Sequence, residues 1–291
     1  MSITFGRIGL ALASALLSSV QSANGQQGST GLLVVAHGAN SAWNLRVRET
    51  VAQVQWRGPV TVAFLMGEET ESSGWDAGVR ELARRGAEAI VAVPLMVSSH
   101  GAHYRQIRYL AGELPDWPAD LSHQHGARIE PPVPVRVTIA LDGAPELGLV
   151  IRDRWQALSP LDRRRPLLLV AHGPSTDAEA ALWVRDLELA ARELGSDVRV
   201  RIGLLRDDAP APVRAAAIAL IHETVGGLAT APGDSVAVIP VLVSSGSIDR
   251  VTIPKDLLGL PIRYTAISLA PHDALARWIE RVALAKAETP R

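Results

Sequence analysis

Cysteine is absent from this 291-residue chain. That excludes disulfides, thiolate metal ligands and lipid attachment at a cysteine, and leaves histidine and carboxylates as the available strong metal ligands. Neither sign of charge is in excess: the formal net charge is −1. With no basic run either, there is no electrostatic footprint for nucleic acid or for an anionic membrane surface. No Gly-x-Gly-x-x-Gly or Walker-type loop follows a strand pattern, which removes the usual nucleotide cradles. A Gly-x-Ser-x-Gly elbow is missing as well, which weakens a hydrolase reading. Beyond the N-terminus, no apolar run is long enough to span a bilayer.

What is there begins with a short basic start at Arg7, followed by an apolar run from Ile8 to Val20 and small residues up to Gly25. The run is too short to cross a membrane comfortably and has the layout of a secretory signal peptide over residues 1–25. The expectation is therefore an exported protein, periplasmic or secreted, with no membrane association after cleavage.

The remaining chain repeats itself. Gly31-Leu-Leu-Val-Val-Ala-His37-Gly38 returns as Pro166-Leu-Leu-Leu-Val-Ala-His172-Gly173. Ala89 to Ser99 returns as Val236 to Ser245, each with proline inside the run, and Val135 to Leu141 returns as Ile262 to Leu269. Continuous apolar runs are what strands buried on both faces of a parallel sheet require. Further strands are expected at Val60–Leu65 and Val198–Leu205, with helices at Gly74–Arg85 and Glu179–Leu194, each ending at a glycine C-cap. Each half then reads β-α-β-α-β-α-β-α. The fold expected is α/β: two duplicated domains, residues 31–158 and 166–285, each a parallel sheet flanked by helices, with a cleft between them. The join falls at Leu158–Arg165. Asp116–Pro134 is a proline-rich insertion in the first half, and Gly226–Asp234 is a Gly/Ala/Pro loop in the second.

Ligands of such sheets bind outside the carboxyl ends of the strands. In the first half, His37 ends the first strand, Glu68 and Glu69 follow the second, and His100 and His103 follow the third. Imidazoles with a carboxylate suit a divalent first-row metal and leave positions open for a substrate. Taken singly, each residue also has an ordinary use, as a loop hydrogen-bonding group or a solvated helix charge.

Ala36-His37-Gly38, then Ala63-Phe-Leu65 with Glu69, then Val93-Pro94-Leu-Met-Val-Ser-Ser99 with nearby histidines, resembles the class II chelatases of the CbiX/SirB kind. These are the sirohydrochlorin cobaltochelatases and ferrochelatases, and residues 31–285 resemble their long form with two units. The resemblance implies a chelatase that inserts Co²⁺ or Fe²⁺ into a sirohydrochlorin-like tetrapyrrole, with the metal as substrate and no permanently bound cofactor. It implies that His37 is metal ligand and proton acceptor, that Glu69 (or Glu68) is the acidic ligand, and that His103 or His100 is the second histidine. His103 is preferred as the second catalytic histidine. The second half departs from the pattern. His172 is kept, but Ser244-Ser245-Gly246-Ser247 has no histidine, and Asp207 and Asp208 stand where the first half has glutamates. One working site in the first half is expected, with His172 facing it from a degenerate second half.

The chemistry matches these residue types. Metallation removes two pyrrole protons while a metal is handed to the ring, and a neutral imidazole can both hold metal and accept a proton near neutral pH. Arg46, Arg105 and Arg108 are the expected partners for the macrocycle's carboxylates, or else solvated helix charges. His123-Gln-His125 in the insertion reads as a metal-collecting loop or as a polar surface turn. His272 reads as a helix cap. The other expected partners are none beyond the tetrapyrrole and the ion, in a monomer or homodimer. The competing reading is an exported metal- or tetrapyrrole-binding protein without turnover.

Overall fold

The structure, a computed structural model, describes residues 29–124 and 128–289. The segment read as a signal peptide lies outside the described residues, as do the side chains of His123 and His125.

The first half runs β1 (Thr30–Ala36), α1 (Ser41–Val51), β2 (Val60–Phe64), α2 (Thr70–Ser73), α3 (Trp75–Arg84), β3 (Ala89–Pro94), α4 (Ala102–Leu110), β4 (Val135–Val137) and α5 (Pro145–Gln156). The second runs β5 (Leu167–Ala171), α6 (Asp177–Ala191), β6 (Val200–Leu204), α7 (Ala211–Leu228), β7 (Val236–Val241), α8 (Ile253–Asp256), β8 (Ile262–Tyr264) and α9 (Asp273–Glu288). A 3-10 turn at Ala119–Gln124 occupies part of the proline-rich insertion. Two four-stranded parallel sheets result, ordered β2-β1-β3-β4 and β6-β5-β7-β8. The fold class is α/β with two sheets of one topology, as the repeated strand patterns require.

The apolar runs are continuous because the central strands are covered on both faces. Leu32 to Ala36 and Leu167 to Ala171 are fully buried. Helix α3 shows how one face is covered: Trp75, Val79 and Leu82, spaced by one helical turn, pack on Leu33, Val35 and Ile90. Helix α6 runs into a 3-10 turn, and Gly195 stops it with φ +89°, a conformation that costs glycine little.

The last helix of each half does not stay with its own sheet. Helix α9 packs on β1, β3 and α1 of the first half, and α5 packs on α6 and β7 of the second. Polar contacts fix this exchange. Arg136 in β4 donates to the carbonyls of Ala287 and Thr289 at the end of α9. Arg154 in α5 donates to those of Ser268, Leu269 and Pro271, and Arg281 in α9 pairs with Glu146 in α5 at 2.7 Å. One apolar core therefore runs through both halves, joining Leu32, Val34 and Val93 to Leu167, Ile239 and Trp278. The carboxyl edges of the two sheets are held as fixed neighbours.

Candidate metal and tetrapyrrole site

In both sheets the strand order reverses between the two central strands, β1/β3 and β5/β7. Chains leaving such neighbours go to opposite faces and open a crevice at their carboxyl ends. His37 follows β1 directly, and His103 lies in the first turn of α4, the helix that follows β3. They meet in that crevice, with ring centres 4.8 Å apart and planes at 89°.

Each ring is oriented by its Nδ1. That of His37 donates to the Gly38 carbonyl at 2.8 Å, and that of His103 donates to Oε1 of the buried Gln106 at 2.9 Å. Both bonds fix the tautomer with hydrogen on Nδ1, which leaves each Nε2 lone pair free for a metal or a proton. The His37 turn depends on Gly38, whose φ is +84° and at which a Cβ would lie 2.2 Å from the Met66 carbonyl oxygen. Only a glycine lets the two strand-end loops approach so closely, and the amide of Met66 then donates to the His37 carbonyl at 2.9 Å.

The electrostatics keep both rings neutral. His37 has solvent at its rim but is crowded by protein on most sides, and this desolvation lowers its pKa to about 4, helped by the adjacent His103. Desolvation also lowers His103. His172 and Asp208 of the second half are close enough to act on both rings, the former lowering and the latter raising their pKa. His172 repeats the geometry of His37, with Nδ1 on the Gly173 carbonyl at 3.0 Å and Nε2 3.8 Å from Asp208.

A buried tryptophan packs near the pair. Trp43 on α1 stands 6.4 Å from His37, ring centre to ring centre. Its backbone is held by the second half, where Ser244 Oγ donates to the Trp43 carbonyl at 3.0 Å and the backbone of Gly246 abuts its indole. Ser244 and Gly246, the latter standing where the first repeat has His100, thus pack against Trp43.

The remaining expected residues are placed differently. Glu69 turns to α1, where Asn44 Nδ2 donates to it at 3.0 Å and Arg48 pairs with it. These bonds, Asn44's first, hold its carboxyl below the usual range. Glu68 caps the same helix, accepting from Ser41 N and Oγ at 3.2 and 3.1 Å. His100 is in the loop before α4 and faces Asp186 of the second half at 3.3 Å, not the His37–His103 pair. Among the described residues, the group of three or more ligand side chains that could hold an ion is His100, Asp142 and Asp186, and the His37–His103 pair is not part of it. Arg105 is held by Asp120 and Glu179, and Arg108 by Glu113. Arg46 is half-buried on α1, one turn beyond Trp43, and no ion pair holds it among the described residues. His272 caps α9, its Nδ1 accepting from Ala274 N at 3.1 Å. Two surface depressions on the second half, one beside the α6–β6 loop and one between α6 and α7, include none of these histidines in their lining.

Residues 31–158 match the CbiX family, and no curated protein sequence matches the chain. Several solved structures share its fold. SirB from Bacillus subtilis with Fe3+ superposes with a TM-score of 0.61 at 16% identity, over 89% of this chain and 96% of that one. The sirohydrochlorin chelatase SirB from Bacillus subtilis subspecies spizizenii in complex with cobalt gives 0.59 at 16% identity, over 90% and 97%. CbiX, the terminal enzyme for biosynthesis of siroheme in denitrifying bacteria, gives 0.51 at 15% identity, over 88% and 98%. The first half thus matches the CbiX family model over residues 31–158, and about nine tenths of the chain shares the fold of the SirB and CbiX structures.

Proposed function

We propose that this chain inserts a divalent metal, Co²⁺ or Fe²⁺, into a sirohydrochlorin-like tetrapyrrole in the crevice between the two sheet edges. The observation that carries the reading is the edge-to-face meeting of His37 and His103 with both Nδ1 atoms engaged, which leaves both Nε2 lone pairs unengaged. Two imidazoles grip a first-row ion without saturating it, so it can pass to the four pyrrole nitrogens. The metal is a substrate, and no resident cofactor is required.

Metallation exchanges two N–H protons for one M²⁺. In the free protein His37, with its pKa near 4, is a better ligand than proton store at neutral pH. The carboxylates of an incoming macrocycle would lie beside the pair and raise both values. As the ion leaves Nε2, the lone pair is free to take a pyrrole proton and release it to solvent. Arg46 offers a cation for a ring carboxylate, and His172 the facing side of the crevice. In this reading the first half carries the working site and the second half is degenerate. We further propose that residues 1–25 are removed on export, so that the reaction takes place in a periplasmic or extracellular space. N-terminal sequencing of protein from fractionated cells tests this, and an intact N-terminus in the cytoplasm would refute it.

The direct test is incubation with sirohydrochlorin and Co²⁺ or Fe²⁺ under anaerobic conditions, following the absorption bands of the free ring. Metallation well above the uncatalysed rate is expected. A rate equal to the protein-free control would overturn the reading. One observation favours a second one, a carrier without turnover: the carboxylate of Glu69, the acidic ligand implied by the family, is committed to Asn44 and Arg48. Tight binding of the tetrapyrrole with no insertion would select it.

A further inference from the structure

A second cluster of ligand atoms lies where the lobes touch. His100 comes from the loop after β3, Asp142 from the loop after β4, and Asp186 from α6 of the second half. One ligand atom of each lies within 4.8 Å of the others. We infer that His100, Asp142 and Asp186 form a divalent-cation site, separate from the His37–His103 pair, that clamps the two lobes together.

The independent sign of a missing cation is Asp186. Its side chain is 9% exposed, and its Oδ2 is buried without a hydrogen-bond partner. Oδ1 is taken by its neighbour Arg185, whose Nη2 lies at 2.9 Å, but that guanidinium leaves Oδ2 bare. A buried carboxyl oxygen without a hydrogen-bond partner is costly and rarely left so. Nε2 of His100 lies 3.3 Å away but makes no hydrogen bond to it. An ion between the two would take a lone pair from each.

Asp142 is aimed at the same point by a rigid loop. Its Oδ1 accepts from the Ser99 amide at 2.6 Å and its Oδ2 from Ser99 Oγ at 2.9 Å, so each oxygen keeps a second lone pair. The residue holds φ at +46°, a region that non-glycine residues rarely enter and where strain accompanies function. The His100 loop is pinned on its own account, since Trp183 Nε1 donates to the His100 carbonyl and Ser98 Oγ accepts from the His100 amide at 3.0 Å. The ligands are therefore preorganised from both lobes, and the His100 side chain, 29% exposed, leaves an entry route.

One imidazole with two carboxylates is a donor set for Mn²⁺, Fe²⁺, Co²⁺ or Zn²⁺, with waters completing the sphere. Its role would be to hold α6 against the loop that leads into α4 and His103.

The test uses the full chain with His37 and His103 both changed to alanine, stripped with chelator and titrated with Co²⁺ by equilibrium dialysis. Residual binding close to one Co²⁺ per chain is expected, with a rise in thermal midpoint on saturation. Adding Asp186→Asn is expected to weaken that binding at least roughly tenfold and to abolish the thermal shift. Should Asp186→Asn not fold, His100→Gln on the accessible loop carries the same expectation. Absence of Co²⁺ binding in the double alanine variant, or binding unaffected by Asp186→Asn or His100→Gln, overturns the inference. Because the readout is ion binding and not insertion, the site stands or falls independently of the chelatase reading.

Discussion

His37 and His103 meet edge to face across the β1/β3 switch point, ring centres 4.8 Å apart, although 65 residues separate them in sequence. The relationship is made by topology: two adjacent parallel strands end side by side and send their chains to opposite faces. His103 lowers the affinity of His37 for protons and the two rings share one space, so they act as a unit. His37→Ala is expected to reduce metal insertion at least about 100-fold, the usual scale for losing a positioned acid–base group. His103→Ala should do the same, and the double variant should be little worse than either single one. Rates from the spectral assay decide this; independent, multiplying losses would show that the rings do not cooperate.

The pH dependence follows from desolvation of the His37 ring by the protein that crowds it, although its rim meets solvent. Its pKa falls from 6.5 in the unfolded chain to about 4 in the folded one. Between those values the unfolded chain binds more protons, so the folded state loses stability as pH falls through this window and regains it above about 6.5. His103 shifts in the same direction. Thermal midpoints recorded from pH 7 to pH 4 should fall more steeply for the native chain than for His37→Asn. Parallel curves would contradict the assignment of a desolvated, neutral imidazole.

Much of this architecture was legible in the sequence, for a physical reason. Strands buried on both faces leave apolar runs, and a duplicated His-Gly turn marks where two of them end. The expected runs outlast the observed strands, as from Pro94 to Ser99, because the following loop is itself buried: Leu95 and Val97 are core residues. The exchange of α5 and α9 was not legible, since an amphipathic helix shows that it needs an apolar surface but not whose. The sequence leaned to His103 over His100 without a physical reason to separate them. They are three residues apart, and only the start of α4 at Ala102 sends one to His37 and the other to Asp186. The pairing of Arg105 with Glu179 joins residues 74 apart on different lobes. Asp142 had a readable signal, as it lies just past the fourth strand on the edge where ligands bind; Asp186, inside an ordinary helix, had none.

Among the three arginines expected to meet ring carboxylates, the structure separates one from the others. Arg46 shares the helix face of Trp43 and has no acidic partner among the described residues, whereas Arg105 and Arg108 are already paired. Arg46→Ala is expected to raise KM for the tetrapyrrole about tenfold with kcat nearly unchanged, the effect of losing one hydrogen bond between charged groups. Arg105→Ala should leave KM alone and lower thermal stability, because its partners tie α4 to the insertion and to α6. Steady-state kinetics and melting curves on both variants distinguish the roles, and a KM effect confined to Arg105→Ala would reverse them.

Gly38→Ala tests the close approach beneath His37. A methyl group there would lie 2.2 Å from the Met66 carbonyl oxygen and 2.7 Å from Phe64 Cβ. Backbone cannot yield as a flexible side chain can, and the positive φ adds strain of roughly 1 kcal/mol or more for any L-residue. The variant is expected to lose stability and, because the Gly38 carbonyl orients His37 Nδ1, to lose metal insertion beyond what its altered melting temperature explains. Activity equal to native at a temperature where the variant is fully folded would show that the turn does not aim the ring.

The exchanged helices carry the last expectation. Helix α9 begins after the second sheet is complete, yet it buries Leu275, Trp278, Ile279 and Ala283 in the core shared by both halves. Trp278 is fully enclosed and belongs to the same cluster as Leu32 and Val93 of the first sheet and Ile239 of the second. Neither half can therefore lose its packing without exposing apolar surface in the other, and unfolding should be a single cooperative transition. Replacing Trp278 by alanine is expected to cost about 3–5 kcal/mol, from lost burial and the cavity left behind. The loss should shift that one transition as a whole. Differential scanning calorimetry reads both points: two separated heat-absorption peaks in the native chain, or a Trp278→Ala trace in which only one half melts early, would mean that the sheets are stabilised separately and that the crevice between them is not held rigid by the exchange.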